Sequence, residues 1–493
     1  MSWLKKHPQL TSLLLGASCV FGFAPFYVFM LPILSIAGLF YLWELTTSPK
    51  QAAKLGFVFG LGFFIAGIYW IYISLHDVGG MPFWMAGLAT FLLCAFLALF
   101  PSIVGYLAKR SAHPLAIAAI LWVLSEWIRD WIFTGFPWLA VGYSQAPFSP
   151  LAGFAPIFGA FGVGLTVTVS ASILVFIAQH KQRRPAISGL LAIWMVGGAF
   201  SLINWTSPVG NPTKVALIQG NVAQEIKWDE SIAIQTVNQY LGMAKQTQAE
   251  LVILPETALP IAIDLTQKNM AQDQVLAPFK TIASGDRKAI LVGAVSQKEE
   301  TYFNTMLGIS SIEDVQVYHK SHLVPFGEFI PLKSVFGWIY RDWLNMPLSD
   351  LSRGSVEQKP MLMVGQKIAV NICYEDVFGE EVIRQLPEAT LLVNASNDAW
   401  YGRSNAAEQH LQFSQMRALE TGRMVLRATN TGATAIISNK GDVLATVPQF
   451  TTVILNGSVQ GYTGSTPYIR WGNWAIISLL FIALILLWGR KKK

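Results

Sequence analysis

Charge is what this sequence has least of. Only 13% of its 493 residues are Asp, Glu, Lys or Arg, about half the roughly 25% of an ordinary soluble domain. With 53% hydrophobic residues and a mean hydropathy of +0.44, that scarcity argues against a wholly soluble protein. Cysteine is nearly absent too: Cys19 and Cys94 fall in apolar runs, and Cys373 stands alone in the polar part of the chain. A lone cysteine cannot form a disulfide within that part, and no CxxC or Cys/His spacing points to zinc. Its ordinary role is inert packing, so any chemistry for Cys373 needs support from its neighbours. Disorder is excluded by 12% aromatic residues and long apolar runs. The isoelectric point near 9 raises the question of nucleic acid. The basic residues, however, lie in short clusters between apolar runs, which is the pattern of membrane topology.

Seven apolar segments, at roughly 8–25, 27–45, 55–75, 82–108, 114–133, 158–179 and 186–204, precede the polar region, and an eighth follows at roughly 472–489. Each approaches the ~20 residues that span a bilayer. The first follows Lys5 and Lys6 as a signal peptide would, but it lacks a clear small-residue cleavage site and runs into a second segment. It reads as a retained helix. Lys5/Lys6, Lys50/Lys54, Lys109/Arg110 and Lys181/Arg183/Arg184 occupy the N-terminus and alternate connections, and Arg490 to Lys493 form the tail. Positive loops stay in the cytoplasm, which predicts both termini inside and, after seven spans, the polar region outside. Three regions follow: 1–205 as a transmembrane domain of seven helices, 206–470 as an outer catalytic domain, and 471–493 as a closing span with a basic tail.

The connection from Glu126 through Arg129, Asp130 and Thr134-Gly135-Phe136-Pro137-Trp138 to Gln145 is long, aromatic and rich in Gly and Pro. It reads either as an interfacial aromatic belt with a charged pair at the boundary or as a re-entrant, substrate-facing element.

From about Asn211 the pattern changes to short apolar runs: Val215–Ile218, Leu251–Leu254, Ala289–Val292, Ile368–Ile372 and Thr390–Val393. Continuous rather than alternating runs suit strands buried on both faces. Helical stretches at 231–248 and 407–423 lie between them, giving an α/β domain of layered sheets and helices. Three of the strands end in functional groups: Pro255-Glu256, Cys373-Tyr374-Glu375-Asp376 and Asn394-Ala395-Ser396-Asn397-Asp398. Ligands in α/β sheets bind beyond the carboxyl ends of strands. Between these segments, Lys320 precedes Glu328 by eight residues in a low-charge stretch.

A thiol of pKa ~8.5 becomes a useful nucleophile beside a base or a cation. In that reading Glu256 takes its proton, Lys320 stabilises the oxyanion formed when a carbonyl is attacked, and Glu328 holds the lysine in place. The product is a thioester. The competing reading is a packed cysteine among surface ion pairs. Tyr374 and Glu375 flank the nucleophile and either position it or simply pack.

At these residues the sequence resembles the nitrilase superfamily, in Leu254-Pro255-Glu256-Thr257-Ala258, His319-Lys320 and Ile372-Cys373-Tyr374-Glu375. The whole chain resembles one branch, the apolipoprotein N-acyltransferases. Gln219-Gly220-Asn221, Lys227-Trp228, Pro325-Phe326-Gly327-Glu328, Asn397-Asp398-Ala399-Trp400-Tyr401-Gly402 and the aromatic connection carry that likeness. One departure is Ala406-Ala407 at a helix start, where Gly-Pro is frequent. The resemblance implies a multi-pass helical membrane domain of about eight spans plus an α/β nitrilase-like αββα sandwich with a Glu256-Lys320-Cys373 triad. It implies an acyl chain passing from a phospholipid, phosphatidylethanolamine in expectation, through a Cys373 thioester to the α-amine of a diacylglyceryl-cysteine apolipoprotein. No metal, organic cofactor or nucleic acid is called for. The expected setting is the bacterial inner membrane, with the catalytic domain on the periplasmic side of a monomer. The alternative is a membrane-tethered amidase or hydrolase using water as acceptor. A transporter fits poorly, because the spans carry few ionisable residues beyond Glu126, Arg129 and Asp130.

Residues 331–348 are dense in large apolar groups, among them Trp338 and Tyr340. They read as a packed helix or as a lid in the headgroup layer that gates acyl-chain entry toward Cys373, with Trp228 and Trp400 as walls of the same pocket.

Overall fold

The computed structural model describes residues 6–179, 183–224, 227, 229–264, 270–285, 288–311, 314–331, 334 and 350–488. The chain divides into two compact units. One comprises residues up to Tyr72, Pro82–Asn204 and the stretch from Thr466 onward; the other comprises Ile73–Met81 and Trp205–Ser465.

The first unit is helical. Its apolar helices include Pro8–Cys19, Met30–Leu45, Pro49–Gly67, Phe83–Arg110, Pro114–Trp131, Ala155–Ala178, Arg183–Phe200 and Trp474–Leu487. Among the described residues, Phe83–Arg110 and Pro150–Ala178 are long and apolar enough to cross a membrane. Pro49–Gly67 followed by Trp70–Val78, bent by 52°, makes a third as a broken span. Some of the other helices are shorter: Pro8–Cys19 tightens into a 3-10 turn at Val20–Gly22, and Met30–Leu45, of 16 residues, is followed by an extended Thr46. Helices meet closely where side chains are small. A Cβ on Gly60 would lie 2.6 Å from Cα of Ala98 in Phe83–Arg110. The C-terminal helix packs Ile476, Ile477 and Leu480 against Ile120, Val123, Leu124 and Phe161.

The aromatic connection divides at Gly135. Phe133 before it is 78% exposed, whereas Trp138 is 1% exposed and Leu139 to Gln145 are buried. Buried irregular backbone needs polar partners, above all at membrane depth. Glu126 Oε1 accepts from Val141 N at 3.0 Å and from Trp122 Nε1 at 2.9 Å, and Arg129 donates to the Trp138 carbonyl at 2.7 Å. The two charges thus tie the loop to the helix that precedes it.

The second unit contains two mixed sheets. In the first, β1 (Thr206–Gln219), β2 (Leu251–Ile253), β3 (Leu259–Asp264), β4 (Ala289–Lys298), β5 (Thr301–Ile309) and β6 (Gln316–His319) join a late strand. In the second, β7 (Met361–Met363), β8 (Gln366–Ile372), β9 (Leu391–Ser396), β10 (Val425–Thr429), β11 (Ala435–Ile437) and β12 (Val443–Thr446) follow. The late strand of the first sheet is β13 (Val453–Gly464). The strand orders are β13-β1-β2-β4-β5-β6, with β3 also on β4, and β12-β11-β10-β9-β8-β7. β1, β2 and β4 run parallel, as do β8, β9 and β10.

Alternate residues of each buried strand serve different layers, which explains the unbroken apolar runs. Val215 and Leu217 of β1 join Leu251, Ile253, Val370, Ile372, Leu391 and Val393 in a core shared by both sheets. Ile218, Val252, Leu254 and Val292 face the opposite way, onto Val237, Tyr240 and Leu241 of helix Glu230–Gln246 and Phe279 and Ile282 of helix Met270–Gly285. Beyond β9, helix Ala406–Thr421 is almost wholly buried despite its many polar residues.

Candidate active site

Three strands, one from the first sheet and two from the second, lead at their carboxyl ends into the candidate groups. β2 leads into Glu256, β8 into Cys373 and β9 into Asn397. Lys320 follows β6, and its amide donates to the Asn304 carbonyl on β5 at 2.8 Å.

Glu256 sits in a tight turn. Thr257, which follows it, has φ +47°, a left-handed conformation costly for a β-branched residue. Two features hold that turn. Gly293 lies so close that an added Cβ would come within 2.3 Å of the Pro255 carbonyl. Lys227, itself buried, donates to Thr257 Oγ1 at 2.5 Å. Burial lowers the Lys227 pKa to about 8, although the Glu256 charge pulls it upward.

The Glu256 carboxylate accepts from Asn304 Nδ2 at 2.7 Å through Oε1 and from the Asn397 amide at 2.9 Å through Oε2. Lys320 Nζ lies 3.5 Å from Glu256 Oε1 and 2.8 Å from Glu328 Oε2. Asn304 Nδ2 also donates to Glu328 Oε1 at 2.8 Å, and the Val324 amide donates to Glu328 Oε2 at 2.8 Å. Lys320 is only 1% exposed. Burial alone would lower its pKa, but the Glu328 and Glu256 carboxylates outweigh it and hold the ammonium above its ordinary value. Lys320 is therefore a fixed positive charge in a buried site. Asn304, which joins the two carboxylates, escaped the reading of the sequence. Its one signal there is an amide inside an apolar strand.

Cys373 opens a 3-10 turn with φ +51°, so the chain bends sharply at the sulfur-bearing residue. Burial and the Glu256 charge push its thiol well above the ordinary value, while Lys320 and the nearby Ser396 hydroxyl act the other way. The resting group is a thiol, and it becomes a nucleophile only if a base takes its proton. Glu256 is the carboxylate whose charge acts on it most strongly.

Glu375 ties the Cys373 turn to the lysine segment. Its carboxylate accepts from the amides of Ile372 (2.7 Å), Ser321 (2.6 Å) and His322 (3.2 Å) and from Tyr318 Oη (3.0 Å). Tyr374 packs its ring on Phe378, with centroids 5.1 Å apart. Glu375→Ala is expected to leave the Ile372 and Ser321 amides without their acceptor, at about 1–3 kcal/mol each. The check is the melting temperature of the detergent-solubilised variant; an unchanged value would mean that water replaces the carboxylate.

Trp400 lies half-buried in the Asp398–Tyr401 turn. Trp228, Trp338, Tyr340 and most of 331–348 lie outside the described residues. Among the described residues, no group of three or more His, Cys, Asp or Glu is arranged to hold a metal ion.

A thiol, a carboxylate and a buried lysine gathered beyond the strand ends of a two-sheet domain define a carbon–nitrogen hydrolase type of protein, and residues 214–468 match that family model. Residues 15–174 match the apolipoprotein N-acyltransferase N-terminal domain. The chain is 47% identical over 491 residues to the apolipoprotein N-acyltransferase of Nitrosomonas europaea, covering 97% of both chains. It is 42% identical to that of Chromobacterium violaceum, covering 98% of this chain and 94% of the other. The chain belongs to the apolipoprotein N-acyltransferase family. Among solved structures, the C. elegans NitFhit protein is similar at 16% identity and a TM-score of 0.40, covering 56% of this chain and 64% of that one. That likeness is too distant to bear on the assignment.

Proposed function

We propose that this chain transfers an acyl chain from a membrane phospholipid to the N-terminal amine of a diacylated apolipoprotein, through a thioester on Cys373. The observation that carries this is the buried Lys320, held between Glu256 and Glu328 with its charge acting on Cys373. In the first half-reaction, Cys373 Sγ attacks the ester carbonyl as Glu256 takes the thiol proton. Lys320 Nζ stabilises the developing oxyanion. Collapse breaks the ester C–O bond, Glu256 returns the proton to the departing alkoxide, and a lysophospholipid leaves. In the second, the α-amine attacks the thioester, giving its proton to Glu256 and thence to the Cys373 thiolate. An amide forms and the free thiol is restored. Glu328 positions Lys320, and Glu375 and Tyr374 support the turn.

Both substrates are anchored in lipid, and the apolar helices of the first unit suit that requirement. The basic clusters between apolar runs support eight spans with both termini cytoplasmic, and an αββα domain at 206–470 on the periplasmic side of a bacterial inner membrane. The aromatic character of Trp228, Trp338, Tyr340 and Trp400 supports a role for them in holding acyl chains. Purified protein given labelled phosphatidylethanolamine and a diacylated lipopeptide is expected to yield N-acylated lipopeptide and lysophospholipid. Release of free fatty acid without acylated product would favour a hydrolase instead.

A further inference from the structure

Behind the nucleophile lie four buried charges that the triad does not use: Asp376, Asp398, His410 and Arg427. His410 Nδ1 is 3.0 Å from Asp398 Oδ1, and Nε2 is 2.9 Å from Asp376 Oδ1. Arg427 closes the cluster, with NH2 3.0 Å from Asp398 Oδ2 and NH1 3.2 Å from Asp376 Oδ2. Ser414 donates to Asp376 Oδ2 at 2.5 Å, and Ser396 to Asp398 Oδ1 at 2.9 Å. Carboxylate oxygens only accept, so a ring with a carboxylate at each nitrogen is held as the doubly protonated imidazolium. Burial and Arg427 oppose that charge, yet the two aspartates raise the His410 pKa above its ordinary value.

Two cations and two anions sequestered together are an expensive arrangement, often less stable than packed apolar groups. Its position gives it a use. His410 Nε2 is 3.2 Å from the carbonyl oxygen of Cys373, and Asn394 Nδ2 donates to the same oxygen at 3.1 Å. Arg427 NH1 donates to Asn394 Oδ1 at 2.6 Å, so both donors on that carbonyl are braced by one cluster. The Cys373 backbone is left-handed, a costly conformation for a non-glycine residue, and such strain persists only where its surroundings over-determine it.

We propose that His410, clamped between Asp376 and Asp398 and backed by Arg427, is a positioning residue for the nucleophile. It holds the Cys373 carbonyl and with it the left-handed turn that presents Sγ. The proposal rests on Cys373 being the nucleophile.

A matched pair of neutral variants tests it in the full-length protein in detergent. In His410→Gln the amide nitrogen reaches the place of Nε2 and still donates toward the Cys373 carbonyl. In His410→Asn the amide stops at the place of Nδ1 and reaches Asp398 only. Single-turnover acylation of Cys373 by phosphatidylethanolamine, read by intact mass, is expected to slow about 10-fold in His410→Gln and about 100-fold in His410→Asn. The KM for phospholipid is expected to stay within about threefold of wild type in both, because the substrate is not touched. Equal rates in the two variants, or rates that merely follow their melting temperatures, would overturn the proposal. Should neither variant fold, Ser414→Ala loosens Asp376 without touching His410 or Cys373. It is expected to slow acylation several-fold at unchanged KM, and a wild-type rate would overturn the proposal. Wild type is the control for the underlying reading: acyl-Cys373 in wild type with equal variants removes only the role of His410, whereas no acyl-Cys373 in wild type removes the nucleophile itself.

Discussion

Replacing Cys373 with alanine is expected to abolish acyl transfer while the protein still folds and inserts. The side chain is buried, the change removes one sulfur atom, and alanine meets the same left-handed φ that cysteine already adopts. Wild type given labelled phospholipid without acceptor is expected to accumulate a protein-bound acyl group that hydroxylamine releases, as a thioester requires. Cys373→Ser is the stricter control. Burial already holds the thiol well above its ordinary value, so attack depends on Glu256 taking the proton. A hydroxyl is harder still to deprotonate. The serine variant should therefore trap little or no ester. Substantial turnover by the alanine variant would remove Cys373 from the mechanism.

Glu256→Gln and Lys320→Ala are expected to cost at least about 10²–10³ in the rate of thioester formation, for different reasons. Glutamine keeps an oxygen to accept from Asn304 or from the Asn397 amide, so the turn survives while the base is lost. Removing Lys320 takes away the charge aimed at the oxyanion. It also leaves the buried Glu256 and the half-buried Glu328, joined through Asn304, without their shared cation. Breaking such a buried pair costs about 3–5 kcal/mol, so the alanine variant should melt lower as well as react slowly. Glu328→Ala should be strongly impaired, since it frees the lysine it positions. The separating measurement is acylation rate beside melting temperature for all three variants. A Lys320→Ala enzyme that acylates at the normal rate would show that another cation supplies the charge.

The strands and the polar residues beyond their ends were legible because the signal is local. Val215–Ile218, Leu251–Leu254 and Ile368–Ile372 are unbroken apolar runs, and a strand covered on both faces leaves that mark in consecutive residues. Cys373 stands directly after such a run and Glu256 two residues after one, close to where a strand ends. The apolar segments were equally plain. Their helical lengths were less so, since a 3-10 turn at Val20–Gly22 ends the first helix inside a run that composition alone would continue.

By itself, then, the sequence determined the membrane character, the α/β nature of the polar region and which polar residues follow its strands. Each of these depends on hydrophobicity, charge and periodicity, which are properties of neighbours along the chain. The tertiary structure decided which polar groups became partners. Glu256 meets Lys320 across 64 positions and the Asn397 amide across 141. Asn304 acquires its role only when β5 lies beside the Glu256 turn, and His410 only when its helix packs behind Cys373. A buried polar group must find a partner or pull its ionisation toward the neutral form. That partner is supplied by the packing of distant segments, which no local pattern in the sequence records.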